Sequence, residues 1–252
     1  MNILIKNYAI ILTAFIVTFA ISSCNISTKE SKSSRTISVI KSSHIKVSEP
    51  SGLALSFDGN YFWTVSDNNS KVYKTNLEGK IIKSFVINGE DLEGIAVIDS
   101  VKLAVVLERT REVVVVDTSG NEIFRKSLNL KGQPNEGLEG ICFDNYLQKF
   151  YLVNEKSPGL LIELNSSFDE VFVKDLRLAR DYSDIYFAKQ DSTLWILSDE
   201  SKKIVQTDRT GKKIKEYKID VEQPEGLVVD YARKKIFVVS DKKEELYEFN
   251  LP

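Results

Sequence analysis

A two-part motif recurs five times along this chain and constrains its fold more than any other feature. The first part is Pro50-Ser51-Gly52-Leu53, Leu92-Glu93-Gly94-Ile95, Leu138-Glu139-Gly140-Ile141, Tyr182-Ser183-Asp184-Ile185 and Pro224-Glu225-Gly226-Leu227. The second part follows about fifteen residues later and ends in a carboxylate: Ser66-Asp67, Leu107-Glu108, Asn154-Glu155, Ser198-Asp199 and Ser240-Asp241. The anchors Gly52, Gly94, Gly140, Asp184 and Gly226 lie 42, 46, 44 and 42 residues apart. A period near forty with strand-like content predicts a β-propeller.

Each repeat divides into four short strands. In the first, Gly52 to Leu55 opens an inner strand and Asp58-Gly59-Asn60 turns it. Tyr61 to Val65 forms a second strand, Lys71 to Thr75 a third, and Asn76-Leu77-Glu78-Gly79 a hairpin into a fourth. β-branched and aromatic runs between turn residues are hairpin signals. Asp117 to Gly120 and Asp208 to Gly211 repeat that last turn, with a glycine free to take positive φ. Asn165-Ser166-Ser167-Phe168 has no glycine, so a different turn type or an extra residue is expected there. Trp63, Ala104, Tyr151, Trp195 and Phe237 each stand four residues before the terminal acid. Side chains on alternating strands at such positions are expected to pack between blades.

The fifth repeat ends after its third strand. Ser38 to Pro50, ahead of the first repeat, matches Lys212 to Pro224: Ile40 with Ile214, Ile45 with Ile219, Val47 with Val221 and Pro50 with Pro224. The N-terminal strand is therefore expected to complete the last blade, which removes open sheet edges. The prediction is all-β: a single propeller of five four-stranded blades over residues 36–252.

The segment before it reads differently. Tyr8 to Ala20 is almost wholly apolar and Ile21-Ser22-Ser23-Cys24 follows. This pattern reads as a signal peptide over residues 1–23. Its end resembles a bacterial lipobox, which implies cleavage before a lipidated Cys24. The alternative is a transmembrane anchor, for which the apolar run is short against the ~20 residues of a span. Residues 24–35, rich in Ser and Lys, read as a flexible tether. Asn25 does not look like an inner-membrane retention signal, so the expected location is the cell envelope, on the outer membrane facing the periplasm.

Composition excludes several classes. The formal net charge is −2, with both signs interspersed and no basic stripe, which argues against nucleic acid as a partner. His44 is the only histidine, and of the two cysteines Cys24 is assigned to lipid. Zinc sites built on several His or Cys are excluded. Cys142, in an apolar strand start, reads as a core residue.

In propeller topology the loop entering the inner strand and the loop after the second strand open on one face. Glu93, Glu139 and Glu225 precede the inner-strand glycine, and Asp184 replaces it. Asp67, Glu108, Glu155, Asp199 and Asp241 end the second strands, while Glu49 and Glu136 lie just upstream of two inner strands. Clustered carboxylates repel one another and need compensation. Hard divalent cations prefer such oxygen donors, Ca²⁺ first and Mg²⁺ second. The second-strand acids read more readily as turn residues, with Arg109, Arg111, Lys156, Lys202, Lys242 and Lys243 close behind them. The Glu-Gly set is not explained by turn chemistry, and it skips the first and fourth repeats, where Ser51 and Ser183 stand.

Glu49-Pro50-Ser51-Gly52-Leu53, Asp91-Leu92-Glu93-Gly94-Ile95, Gly137-Leu138-Glu139-Gly140-Ile141 and Pro224-Glu225-Gly226-Leu227, with Val-Ser-Asp endings, resemble the SdiA-regulated (YjiK-like) family. The resemblance covers residues 38–252. It implies a bacterial envelope β-propeller with a calcium site near the channel, to which Glu93, Glu139 and Glu225 would correspond. It also implies distant kinship with calcium-dependent propeller hydrolases.

The leading expectation is a membrane-tethered, calcium-binding module that presents one mouth to an envelope ligand or protein. The alternative is a metal-dependent hydrolase of a lactone, ester or phosphoester, with Glu93, Glu139 or Glu225 as base. A third reading is a structural adaptor whose acids are neutralised by Lys and Arg.

Overall fold

The computed structural model describes residues 35–252, so Cys24, the expected signal peptide and nearly all of the expected tether lie outside the described residues. The strands form five sheets, each built on four antiparallel strands. Blade 1 is β3 (Pro50–Leu55), β4 (Phe62–Ser66), β5 (Lys71–Thr75) and β6 (Ile81–Val86). Blade 2 is β7 (Leu92–Val97), β8 (Lys102–Leu107), β9 (Glu112–Asp117) and β10 (Glu122–Ser127). Blade 3 is β11 (Leu138–Asp144), β12 (Lys149–Asn154), β13 (Leu160–Leu164) and β14 (Glu170–Asp175). Blade 4 is β15 (Asp184–Ala188), β16 (Thr193–Ser198), β17 (Lys203–Thr207) and β18 (Lys213–Lys218). Blade 5 is β19 (Pro224–Asp230), β20 (Lys235–Ser240), β21 (Glu245–Asn250) and, from the N-terminal side, β2 (Val39–His44).

The closure is as the sequence predicts: β2 pairs antiparallel with β21, from Val39 opposite Phe249 to His44 opposite Glu245. The chain also makes a link the repeat did not announce. β1 (Arg35–Thr36) runs parallel to β18 on the edge of blade 4, and Ile37 is buried among residues of blades 4 and 5. One N-terminal stretch thus joins the last two blades.

The core lies between the blades. Trp63, Ala104, Tyr151, Trp195 and Phe237 are all buried within interblade clusters, as expected of stacked sheets. Phe62 of blade 1 meets Phe237 of blade 5 edge-on at 4.9 Å, and Trp195 stacks on Tyr217 at 5.6 Å. Cys142 is likewise buried.

One turn differs from its prediction. The third blade's hairpin keeps the same length and the same bonds as the glycine turns: Phe168 N–H donates to Asn165 O at 3.0 Å, as Gly79 does to Asn76 and Gly211 to Asp208. The Asn165 side chain accepts from Ser167 and Asp169 N–H, just as Asn76 serves Glu78 and Lys80. Phe168 takes φ 60° to achieve this. Its ring sits between Phe124 (5.4 Å) and Phe150 (4.4 Å). Burial and stacking offset the cost of the left-handed conformation.

Candidate functional site

The anchor residues form the neck of the channel. A Cβ on Gly94 would lie 2.4 Å from Glu139 O, one on Gly140 would lie 2.7 Å from Asp184 Cα, and one on Gly226 would lie 2.7 Å from the Gly52 carbonyl carbon. Neighbouring inner strands therefore approach backbone to backbone, which only glycine permits. Asp184 fills the one position with a side chain. It is 1% exposed. Its carboxylate accepts N–H bonds from Leu227 (2.7 Å), Ile185 (2.8 Å) and, more weakly, Leu53 (3.4 Å). Burial pushes its pKa well up and those three donors oppose the shift. Asp184, expected among the metal ligands, thus ties blades 4, 5 and 1 together beneath the mouth and does not line it.

Four of the inner strands carry a register shift, and in three of them the extra residue is a glutamate immediately above the neck. Leu92 pairs with Leu107 and Gly94 with Val106, leaving Glu93 as the extra residue. Glu139 is extra between Leu138 and Gly140, and Glu225 between Pro224 and Gly226. A β-bulge re-aims its side chain. Here it turns each glutamate toward the cavity that opens on this face. In blade 1 the extra residue is Gly52, so Ser51 stays paired, and in blade 4 the strand begins only at Asp184. The three-member Glu-Gly subset is therefore a three-member set of bulges.

The cavity measures about 310 Å³. Eleven of its sixteen lining residues are carboxylates and one, Lys156, is a cation. Above the bulged glutamates lie the residues that follow the second strands: Asp67, Glu108, Glu155, Asp199 and Asp241. Their carboxylates accept no backbone N–H of the turns they open, unlike the side-chain turn bonds expected of them; only the carbonyls of Glu108, Asp199 and Asp241 close those turns, accepting from Arg111, Lys202 and Glu244 N–H. In four blades the side chain before the acid bonds the loops instead: Ser66 donates to Ser48 O, Asn154 to Glu136, Lys156 and Pro158 carbonyls, Ser198 accepts from Ser201 N–H, and Ser240 from Lys243 N–H; in blade 2 the place is taken by Leu107. The following cations serve only some of the acids. Lys156 meets Glu155 at 2.7 Å and Lys202 meets Asp199 at 2.6 Å. Arg109 goes to Asp91, Arg111 to Gln133 O, and both Lys242 and Lys243 to Glu222.

A third tier sits three residues before the anchors: Glu49, Asp91, Gly137, Asp181 and Gln223. Glu49, Asp91 and Gln223 hold positive φ. The backbone carbonyls of Asp91, Gly137 and Gln223 accept the N–H of Glu108, Glu155 and Asp241, locking the two loops of each blade side by side. Asp91 and Asp181 were not among the expected site residues. Offset counting from the anchor, applied beyond Glu49, would have found both. Asp181 is buried in the mouth, accepting from Ser198 Oγ and from Glu200 N–H. Glu136 is half-buried outside the cavity.

The electrostatics follow from this crowding. Glu139 is 8% exposed and receives no hydrogen bond from any donor among the described residues. Burial first, then Glu93, Glu225, Glu108 and Glu155, push its pKa well up. Glu93 is pushed up to about 8 by burial, against a bond from Ser51 Oγ at 2.7 Å. Glu225 is also raised, by burial and then by Glu93, Asp199 and Asp241. Glu108 and Asp67 are each raised to about 7, chiefly by burial. Gly137 N–H opposes the shift at Glu108, and the Glu49 carboxyl adds to it at Asp67. Two groups of three have ligand oxygens within 4.8 Å of one another: Asp91, Glu93 and Glu108, and Glu108, Glu139 and Glu155. The first lies on blade 2, the second spans blades 2 and 3, and they share Glu108. An all-oxygen, anionic donor set suits a hard divalent cation, and the donorless Glu139 is the kind of group such an ion would satisfy.

Solved structures share the architecture. The glutaminyl cyclase of Myxococcus xanthus superposes with a TM-score of 0.68 at 14% identity, over 86% of this chain and 96% of that one. Virginiamycin B lyase from Staphylococcus aureus gives 0.52 at 17% identity, over 81% and 66%. A chain of the nidogen/laminin complex gives 0.60 at 13% identity, over 80% and 76%. At these identities the likeness is one of fold. The family model named SdiA-regulated matches residues 31–250, so with its five blades and recurring anchors this chain belongs to the SdiA-regulated family.

Proposed function

We propose that this protein is a calcium-binding module of the cell envelope, tethered through a lipid on Cys24, whose acid-lined mouth captures an envelope ligand or protein. One observation carries the metal part: Glu139 is nine-tenths buried, without a protein donor, and grouped with Glu108 and Glu155. A carboxylate in that position costs free energy unless a cation or a proton accompanies it. Glu108, Glu139 and Glu155 would hold the ion, with Asp91 and Glu93 alongside. The ion would neutralise the mouth and brace the loops of blades 2 and 3. Asp184 has no part in this set, because its lone pairs are committed to backbone N–H groups.

Thermal unfolding with Ca²⁺ or with a chelator tests the reading. A ligand present at about a hundred times its Kd stabilises the native state by ~2.7 kcal/mol, which is several degrees for a domain of this size. Glu139→Gln is expected to abolish the Ca²⁺ response and to leave the metal-free protein at least as stable. A wild-type melt indifferent to Ca²⁺ would refute it.

A further inference from the structure

The two ends of the channel spend their acids differently. At the end opposite the mouth, the lower face, the five loops between inner and second strands ring a cavity of about 710 Å³. At each of these loops an aspartate is consumed by its own turn. Asp58 accepts from Asn60 N–H, Asp99 from Val101 and Lys102, Asp144 from Tyr146 and Leu147, Asp191 from Thr193, and Asp230 from Arg233. Asp99, Asp144 and Asp230 also pair with the side chains of Lys102, Arg209 and Arg233. The side chains left at the loop tips include large apolar ones and lysines. Phe57 is 64% exposed and Tyr146 65%, and Val101 and Leu147 are exposed with them on the consecutive blades 1 to 3. Lys189 and Lys234 stand exposed on blades 4 and 5. Exposed apolar side chains gathered on one face mark a contact surface, whereas single ones do not.

We infer that this lower face docks on the membrane that carries the lipid of Cys24, with the acid mouth turned away from it. The inference rests on the reading of Cys24 as a lipid anchor and adds which face meets the bilayer. Strand direction supports it. Thr207 pairs with both Leu194 and Lys213, so β18 begins at the lower end. β1 runs parallel to β18, with Arg35 opposite Tyr217 and Thr36 opposite Lys218. The chain therefore enters β1 heading away from the lower face. From Tyr217 back to Lys213 is about 14 Å of strand. Ten residues separate Cys24 from Arg35, and ten residues span up to about 33–36 Å, so a lipid on Cys24 has the reach. Aromatic rings flanked by lysines suit the bilayer interface, where the rings sit at headgroup level and the ammonium groups reach the phosphates. The opposite mouth, with eleven carboxylates and one lysine, is repelled by anionic headgroups.

Fluorescence quenching of the membrane-purified protein is the test, in phosphatidylethanolamine–phosphatidylglycerol vesicles whose acyl chains are brominated. Phe57→Trp and Leu147→Trp report on the lower face, and Gln133→Trp, on an exposed loop of the mouth side, is the control. The emission of the buried Trp63 and Trp195 is subtracted from wild type. The two tip variants are expected to be quenched at least twofold more than Gln133→Trp. Equal quenching of tips and control, or stronger quenching of the control, would overturn the docking. So would unquenched tips in a protein that is dimeric in detergent and is made monomeric by F57S/L147S, which would give the face to a second copy. The mass of the N-terminal peptide reads the anchor separately. Lipid on Cys24 with unquenched tips sinks the docking alone. No lipid, with the tips still quenched in added vesicles, sinks the anchor and leaves the docking face standing. No lipid and no quenching sinks both.

Discussion

Asp184→Ala is the most informative single change. It removes the one side chain at the neck and strands the N–H groups of Leu227 and Ile185, bonded now at 2.7 and 2.8 Å, with Leu53 contributing a weaker third bond at 3.4 Å. Leaving a buried donor unsatisfied costs about 1–3 kcal/mol, so the two strong bonds together are worth about 2–6 kcal/mol before relaxation. Removing a carboxylate whose burial opposes its charge returns part of this. A net loss of about 2–4 kcal/mol is expected, a large fraction of the 5–15 kcal/mol typical of a domain. Urea unfolding followed by tryptophan fluorescence measures it directly, because Trp195 lies in the same blade. The same variant should keep its Ca²⁺-dependent rise in melting temperature. A loss below about 1 kcal/mol, or a vanished Ca²⁺ response, would refute the assignment of Asp184 to the neck.

Two further outcomes follow from the same physics. Glu93, Glu108 and Asp67 titrate near 8, 7 and 7 in the fold and near ordinary carboxylate values when unfolded. The folded state then holds more protons than the unfolded state between about pH 4 and 8, so metal-free stability must fall as pH rises through that window. The melting temperature in chelator should be higher at pH 5 than at pH 8, with Ca²⁺ restoring it at pH 8; a metal-free melt that rose toward pH 8 would contradict the crowding of these acids. Phe168→Gly should destabilise despite relieving a positive φ, since about 1 kcal/mol of backbone strain is outweighed by the ~3–5 kcal/mol of a buried phenyl. A more stable glycine variant in chemical denaturation would show that the stack on Phe124 and Phe150 contributes little.

The blade count, the closure by β2 and the placement of Trp63, Tyr151, Trp195 and Phe237 between sheets were legible from spacing and alternation alone. So was the convergence of the acids on one face, because propeller topology carries equivalent residues to equivalent places. Three things were not. The turn at Phe168 obeys the register of its blade and the stacking of rings from β10 and β12, which no local propensity reports. The Ser-Asp endings divide their labour in a way that composition hides: the serine or asparagine side chain bonds the loops and the carboxylate is left to the cavity. Asp91 and Asp181 stand among ordinary loop residues and become part of the mouth only when the blades close.

The sequence by itself determined that five like units must ring a channel and that carboxylates must meet at one end of it. Only the tertiary structure decided which of those carboxylates are spent on the fold and which are exposed to a ligand. Asp184 and Glu139 occupy nearly the same place in the repeat. A one-residue bulge turns Glu139 up into the cavity with no donor to meet it. Without that bulge, Asp184 drops into the neck, where three backbone N–H groups claim its oxygens.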